Sequence, residues 1–176
     1  MSGRGVFLDR DGVLVRTLVR DDRVYAPCRE ADFHIEAGAG REVRRLRAAG
    51  LVPIVFTNQP DVARGALRHD TLERMHARLR AEVPVEDVLV CPHDGDDGCE
   101  CRKPRPGLLL AAAEKWRLDL SRSFVVGDRW RDVDAGRAVG CYSVLIDRPY
   151  SACARADARV ATLAEAVDVI LARLPS

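Results

Sequence analysis

The chain has 176 residues, 47% hydrophobic and 31% charged, a globular composition long enough to bury one core and unlike that of a disordered tail. Its 28 basic residues balance 27 acidic ones to a net charge of +1, which leaves no electrostatic footprint for nucleic acid or an anionic membrane surface. No apolar run approaches the ~20 residues of a membrane span, and the opening MSGRGVFLDRDGV meets acids too early for a secretory leader; the expectation is a cytoplasmic, monomeric protein with one domain over residues 1–176.

In chain order, Gly5 to Leu8 is a short apolar run that stops at Asp9 and reads as a buried strand. Residues 13–37 are mixed, with the charge run Arg20, Asp21, Asp22, Arg23, and read as a solvated loop. Val43, Leu46 and Ala49 have helical spacing over 39–49, and Gly50 ends that helix. Leu51 to Phe56 is a second buried strand ending at Thr57. An amphipathic helix over 70–82 carries Leu72, Met75, His76 and Leu79 on one face, and Val85 to Val90 is a third strand. After a Gly-, Asp- and Cys-rich loop over 91–105, Pro106 opens a helix with Leu108, Leu109, Ala112 and Trp116. Phe124 to Val126 is a fourth strand ending at Gly127-Asp128. A helix over 132–139, a strand over 142–146 and a helix over 162–174 follow. Continuous apolar strands alternating with helices imply an α/β fold, with a parallel sheet of about five core strands covered on both faces. Such sheets bind ligands beyond the carboxyl ends of their strands, and here those ends carry Asp9, Thr57 and Asp128.

Asp9 and Asp11 are two apart, so in extended chain both carboxylates can enter one site while Arg10 points elsewhere. A strand-terminal aspartate can attack phosphorus, and a second can protonate the leaving oxygen and then deprotonate water. Asp128 would add the further carboxylate that Mg²⁺ needs beside phosphate and water. Thr57 offers a hydroxyl and Lys103 a point charge to phosphate oxygens. A separate cluster, Cys91, His93, Cys99 and Cys101, is a closed set of three sulfurs and one imidazole, as structural Zn²⁺ prefers. In a reducing compartment a disulfide there is disfavoured. Cys28, Cys141 and Cys153 are scattered and read as small buried hydrophobes.

FLDRDGV (7–13), FTNQ (56–59), RKP (102–104) and VGDRWRD (126–132) together resemble the four ordered motifs of the haloacid dehalogenase (HAD) superfamily of phosphatases. The resemblance implies a three-layer Rossmann-like fold, Asp9 as nucleophile, Asp11 as acid and base, and Thr57 and Lys103 as phosphate stabilisers. It implies Mg²⁺ held by the Asp9 carboxylate, the Asp11 backbone carbonyl and Asp128, with Asp132 in support. CPHDGDDGCECRKPRPG (91–107) resembles the zinc loop of the heptose-bisphosphate phosphatases and of the related histidinol-phosphate phosphatases. TNQPDVARG (57–65) resembles the former and implies that Asn58 contacts substrate, although Asp61 stands where that pattern has glycine and the stretch 14–26 is longer and more charged. Too few residues follow the first motif for a cap domain. The substrate expected is a small phosphorylated sugar, with no nucleic-acid or membrane partner. Arg16, Arg20 and Arg23 against Asp21 and Asp22 in the stretch after the first motif, and Arg102 and Arg105 beside Lys103, are expected to suit a second phosphate, with Arg102 as the substrate-binding residue, which favours a heptose bisphosphate over histidinol phosphate. A fold that keeps zinc but has lost activity is the reading from another class. His69 and His76 read as helix-surface or core histidines, Trp116 and Trp130 as packing residues, and Asp134 as solvated.

Overall fold

The computed structural model describes residues 3–21, 23–151 and 155–175. The elements are β1 (Gly5–Leu8), β2 (Leu18–Arg20), β3 (Arg23–Tyr25), α1 (Ala39–Ala48), β4 (Val52–Asn58), α2 (Pro60–Ala63), α3 (His69–Glu82), β5 (Asp87–Cys91), α4 (Gly107–Trp116), β6 (Phe124–Gly127), α5 (Trp130–Ala138), β7 (Tyr142–Ile146), β8 (Ala158–Val160) and α6 (Leu163–Leu171). Six strands form one sheet in the order β5-β4-β1-β6-β7-β8, and every pairing is parallel. β1 lies in the middle and is wholly buried, as its unbroken apolar run requires. Val6 and Leu8 face one layer of the core, with Leu46 of α1, Leu79 of α3 and Ile170 of α6. Phe7 faces the other, with Leu109 of α4 and Ala135 of α5.

After β1 the chain crosses to β4 on one side; after β6 it crosses to β7 on the other. The sheet therefore reverses its winding between β1 and β6, and a crevice opens where the loops diverge. The register pairs Leu8 with both Val55 and Val126, which brings the residues just beyond β1, β4 and β6 to a common level.

The five core strands expected are β1, β4, β5, β6 and β7. β8 adds a three-residue edge strand whose middle residue, Arg159, is exposed, so it carries too short an apolar run to be seen. One expectation needs correction. Residues 13–37 are not simply a solvated loop. Val13, Leu14, Val15 and Phe33 are fully buried in the main core, and β2 and β3 form an antiparallel hairpin. The charge run at its tip masked the buried triplet that follows Gly12. This hairpin is the only secondary-structure insert between β1 and α1 apart from a single 3-10 turn among the described residues. Asp22 and Cys153 lie outside the described residues.

Candidate active site

Asp9 follows β1 directly. Its N–H donates to the Val126 carbonyl at 2.9 Å, which ties it to β6. Its Oδ1 accepts the Arg10 N–H at 2.8 Å and the Lys103 Nζ at 2.8 Å. Both of these donors go to Oδ1, and among the described residues none is found on Oδ2. Burial, then the Asp132 charge, raises the Asp9 carboxyl well above the usual range, and Asp128 and Asp11 add to this; Lys103 opposes it.

Lys103 is the buried cation of the site. Nζ is 2.7 Å from Asp132 Oδ1 and donates to the Phe56 carbonyl at 3.0 Å, so its three N–H bonds are all spent on Asp9, Asp132 and Phe56. Burial works against this ammonium, but the Asp132 and Asp9 charges outweigh it and hold Lys103 above the usual lysine range. Its backbone is fixed by Asn58, whose Nδ2 donates to the Lys103 carbonyl at 3.2 Å and whose Oδ1 accepts the Lys103 N–H at 3.1 Å. Asn58 thus holds the lysine with one N–H and its Oδ1, keeps a second N–H free of these bonds, and lines the cavity.

Asp128 follows β6 and is fully buried. Tyr150 donates its hydroxyl to Oδ2 at 2.6 Å, and Oδ1 is a buried oxygen with no partner. Burial, with the Asp132 charge, pushes the carboxyl up to about 6. Asp132 starts α5; its Oδ2 accepts the Arg129 N–H at 3.0 Å while Oδ1 meets Lys103. Carboxylate oxygens of Asp9, Asp128 and Asp132 lie within 4.8 Å of one another. With both Asp132 oxygens engaged, the oxygens open to a cation are those of Asp128 and Asp9. An orphaned buried oxygen beside a second carboxylate is the donor set a hard divalent ion such as Mg²⁺ takes, so the residues fit that ion. Gly12, at φ +92°, passes so close to Asp128 that a Cβ would collide with its carboxylate.

Asp11 lines the same cavity. Gln59 Nε2 donates to Asp11 Oδ2 at 2.8 Å and to Thr57 Oγ1 at 2.9 Å. Because Thr57 Oγ1 is already an acceptor, its proton remains available to a ligand oxygen. Arg10 does not point away from the site. Its stem enters the core, and Nε returns to donate to Asp11 Oδ1 and Oδ2 at 3.0 and 3.1 Å. The cavity, of about 370 Å³, is lined by Asp9, Asp11 and Asp132, by Arg102, Arg129 and Arg131, and by Thr17, Val24 and Tyr25 of the hairpin region. Burial and the neighbouring Arg102 and Arg129 charges hold the Arg131 guanidinium down, a sign of crowded cations.

The Cys/His cluster stands next to this wall. Cys91 Sγ is 3.7 Å from Cys99 Sγ and from His93 Nδ1, and His93 Nδ1 is 3.2 Å from Cys101 Sγ. With Zn–S bonds of ~2.3 Å, a tetrahedron has S–S edges near 3.8 Å, so these donors fit one zinc ion. No disulfide joins them. Arg102 donates to the His93 carbonyl at 3.1 Å, and Arg64 of the segment after α2 makes a two-point ion pair with Asp94 at 2.6 and 2.7 Å. The loop is therefore fastened to the cavity wall on both sides.

The sequence missed Arg10, Gln59, Arg129, Arg131 and Tyr150. Gln59 was within a quoted motif; nothing local distinguishes the arginines in a chain this rich in them. His69 and Asp134 are exposed as expected, Cys141 is buried and Cys28 half-buried, with its Sγ 3.3 Å from Asp61 Oδ2. Trp130 is 42% exposed rather than packed.

Acidic groups at the carboxyl ends of β1 and β6, a buried lysine and a threonine near the end of β4, carried on a parallel sheet wound both ways, are the fold and side-chain set of a HAD-like hydrolase. A family model described as HAD-hydrolase-like matches residues 100–169. A D-glycero-beta-D-manno-heptose-1,7-bisphosphate 7-phosphatase of Pseudomonas aeruginosa is 41% identical over 152 residues, 83% of this chain and 82% of that protein. A D-glycero-alpha-D-manno-heptose-1,7-bisphosphate 7-phosphatase of Burkholderia mallei is 33% identical over 95% of this chain and 89% of its own length. The crystal structure of D,D-heptose 1,7-bisphosphate phosphatase from B. bronchiseptica, complexed with magnesium and phosphate, superposes with a TM-score of 0.79 at 28% identity, covering 97% of this chain and 99% of that one. The chain belongs to the HAD-like family that contains the heptose-1,7-bisphosphate 7-phosphatases.

Proposed function

We propose that this chain, acting as one domain and as a monomer in the cytoplasm, hydrolyses the 7-phosphate of a D-glycero-D-manno-heptose 1,7-bisphosphate. The observation that carries the reading is the meeting of Asp9, Asp128 and Asp132 within 4.8 Å beneath an arginine-walled cavity. No helix is long and apolar enough to cross a membrane among the described residues.

Asp9 Oδ2 attacks phosphorus, and the bond from phosphorus to the sugar oxygen breaks. Asp11, as the acid, gives a proton to that oxygen, and the phosphoryl group rests on Asp9 as an acyl phosphate. Asp11, now a carboxylate, takes a proton from water, whose oxygen attacks the same phosphorus; inorganic phosphate leaves and the Asp9 carboxylate returns. Thr57 donates its hydroxyl to a phosphoryl oxygen. Lys103 acts through its field rather than by a free N–H, because its donors are engaged. Asp9, the Asp11 backbone and Asp128 would hold Mg²⁺, which supplies neutralisation of the phosphoryl charge. Cys91, His93, Cys99 and Cys101 would hold a structural zinc ion that stiffens the loop bearing Arg102 and Lys103.

The distal phosphate of a bisphosphate suits the wall of Arg102, Arg129 and Arg131; histidinol phosphate would bring an ammonium to the same cations. Phosphate release with Mg²⁺ should be at least about tenfold higher in kcat/KM for the heptose bisphosphate than for histidinol phosphate, a gap of only ~1.4 kcal/mol. Arg102→Ala should erode that preference. Equal rates on the two substrates would refute the assignment.

A further inference from the structure

We propose that Arg10 and His76 form a buried positioning pair that sets the Asp11 carboxylate for proton transfer, with His76 serving as the fixed acceptor that aims Arg10. The proposal rests on the reading of Asp11 as acid and base.

Arg10 has no exposed surface and is the largest fully buried side chain among the described residues. An isolated guanidinium in such a core would be costly, so it must be paired and hydrogen-bonded. Its one ion-pair partner among the described residues is Asp11: Nε reaches both carboxylate oxygens, and Nη2 lies 3.0 Å from Oδ2 although at a poor hydrogen-bonding angle. Nη1 meets His76 Nε2 at 3.1 Å, and the guanidinium carbon sits 5.5 Å from the Phe33 ring centre. An arginine has no acceptor, so this contact requires Nε2 to be unprotonated and the proton to sit on Nδ1. Burial, with the Arg10 and Arg80 charges, pushes His76 down to about 3, consistent with a neutral ring.

The geometry explains why this arginine stands between two aspartates. Arg10 lies in the turn after β1, its carbonyl accepting the Leu14 and Val15 N–H groups, and its side chain is buried while Asp9 and Asp11 line the cavity. It enters the layer under α3, where His76 turns its guanidinium back beneath Asp11. Gln59 then holds Asp11 Oδ2 from the other side at 2.8 Å. The carboxylate is gripped at both oxygens, and neither gripping group touches the cavity contents. A purely structural arginine would fill the core equally well with its fork aimed elsewhere.

The test compares His76→Leu, His76→Gln and Arg10→Lys with the wild type in Mg²⁺, reading kcat and KM separately on the heptose bisphosphate, with thermal unfolding to confirm folding. Misplacing a reacting group by ~1 Å costs up to ~100-fold, so His76→Leu and Arg10→Lys should lower kcat by about ten- to a hundredfold and leave KM nearly unchanged. His76→Gln, which keeps an acceptor, should recover most of the loss. Nitrogen NMR of the wild type should show the His76 ring neutral and protonated at Nδ1 from about pH 5 to 8, a readout independent of any variant. Wild-type kcat in folded His76→Leu and Arg10→Lys, a loss confined to KM, no rescue by Gln, or a His76 ring protonated at Nε2 would each overturn the proposal. Asp11→Asn is run beside them: if it is inactive while the other variants keep full kcat, only the positioning pair is refuted; if it keeps full kcat, the acid and base reading falls and the pair with it.

Discussion

Replacing Lys103 with methionine removes the one buried cation that joins Asp9 to Asp132 while keeping side-chain length and apolar contact with the Phe56 ring, whose centre lies 4.1 Å from Nζ. Nζ is 2.8 Å from Asp9 and 2.7 Å from Asp132, and the lysine is only 4% exposed. Taking one partner out of a buried ion pair costs ~3–5 kcal/mol, because the carboxylates left behind keep their desolvation penalty. For a chain of this size each kcal/mol moves Tm by ~2–4 °C, so Lys103→Met should melt ~6–20 °C below the wild type, measured by calorimetry in chelator. The pH dependence has a definite sign. The raised Lys103 means that its own contribution is complete below the usual lysine range and is lost only as pH climbs above it. Asp9 is also raised, so its ionisation opposes folding as pH rises, and without Lys103 it should be displaced further up. The deficit should therefore grow as pH rises and shrink on acidification, as the raised Asp9 carboxyl protonates. A variant within ~2 °C of the wild type at ~pH 8, or a deficit that grows on acidification, would refute the argument.

The remaining expectations are simpler to check. Asp9→Asn should fold, with an unchanged circular dichroism spectrum, and release phosphate at under about a thousandth of the wild-type rate, since monoester hydrolysis without a catalyst is among the slowest reactions known; a tenth of the rate would rule out the covalent route. Purified protein should carry about one zinc per chain by elemental analysis, and Cys99→Ser should lower both zinc content and Tm, since binding energy at such a site is folding energy. Zinc-free protein of unchanged Tm, prepared without chelator, would sink that assignment.

The parallel sheet was legible because β1, β4 and β6 are buried on both faces, so their apolar runs are continuous and each ends at a residue with chemistry. Local spacing was likewise enough to gather Cys91, His93, Cys99 and Cys101, which sit on a single loop, and to pair Asp9 with Asp11 across one strand end. β8 and the β2–β3 hairpin escaped because each strand is three residues long, and pattern needs length. Within the site, the sequence determined which groups are present; contacts between distant segments decided what each one does. Asn58 is expected from its motif to touch substrate; it lines the cavity, and only the fold shows that one N–H and its Oδ1 also hold the Lys103 backbone, 45 residues away. Lys103 is expected to act as a point charge, and only the fold shows what surrounds that charge: Asp9, Asp132 and a carbonyl of β4. Arg10 reads as a residue pointing away, and only the position of α3, which brings His76 within 3.1 Å, turns it back under Asp11. A hydrogen bond has a direction and a finite number of donors, and neither can be counted until the chain has brought its partners together.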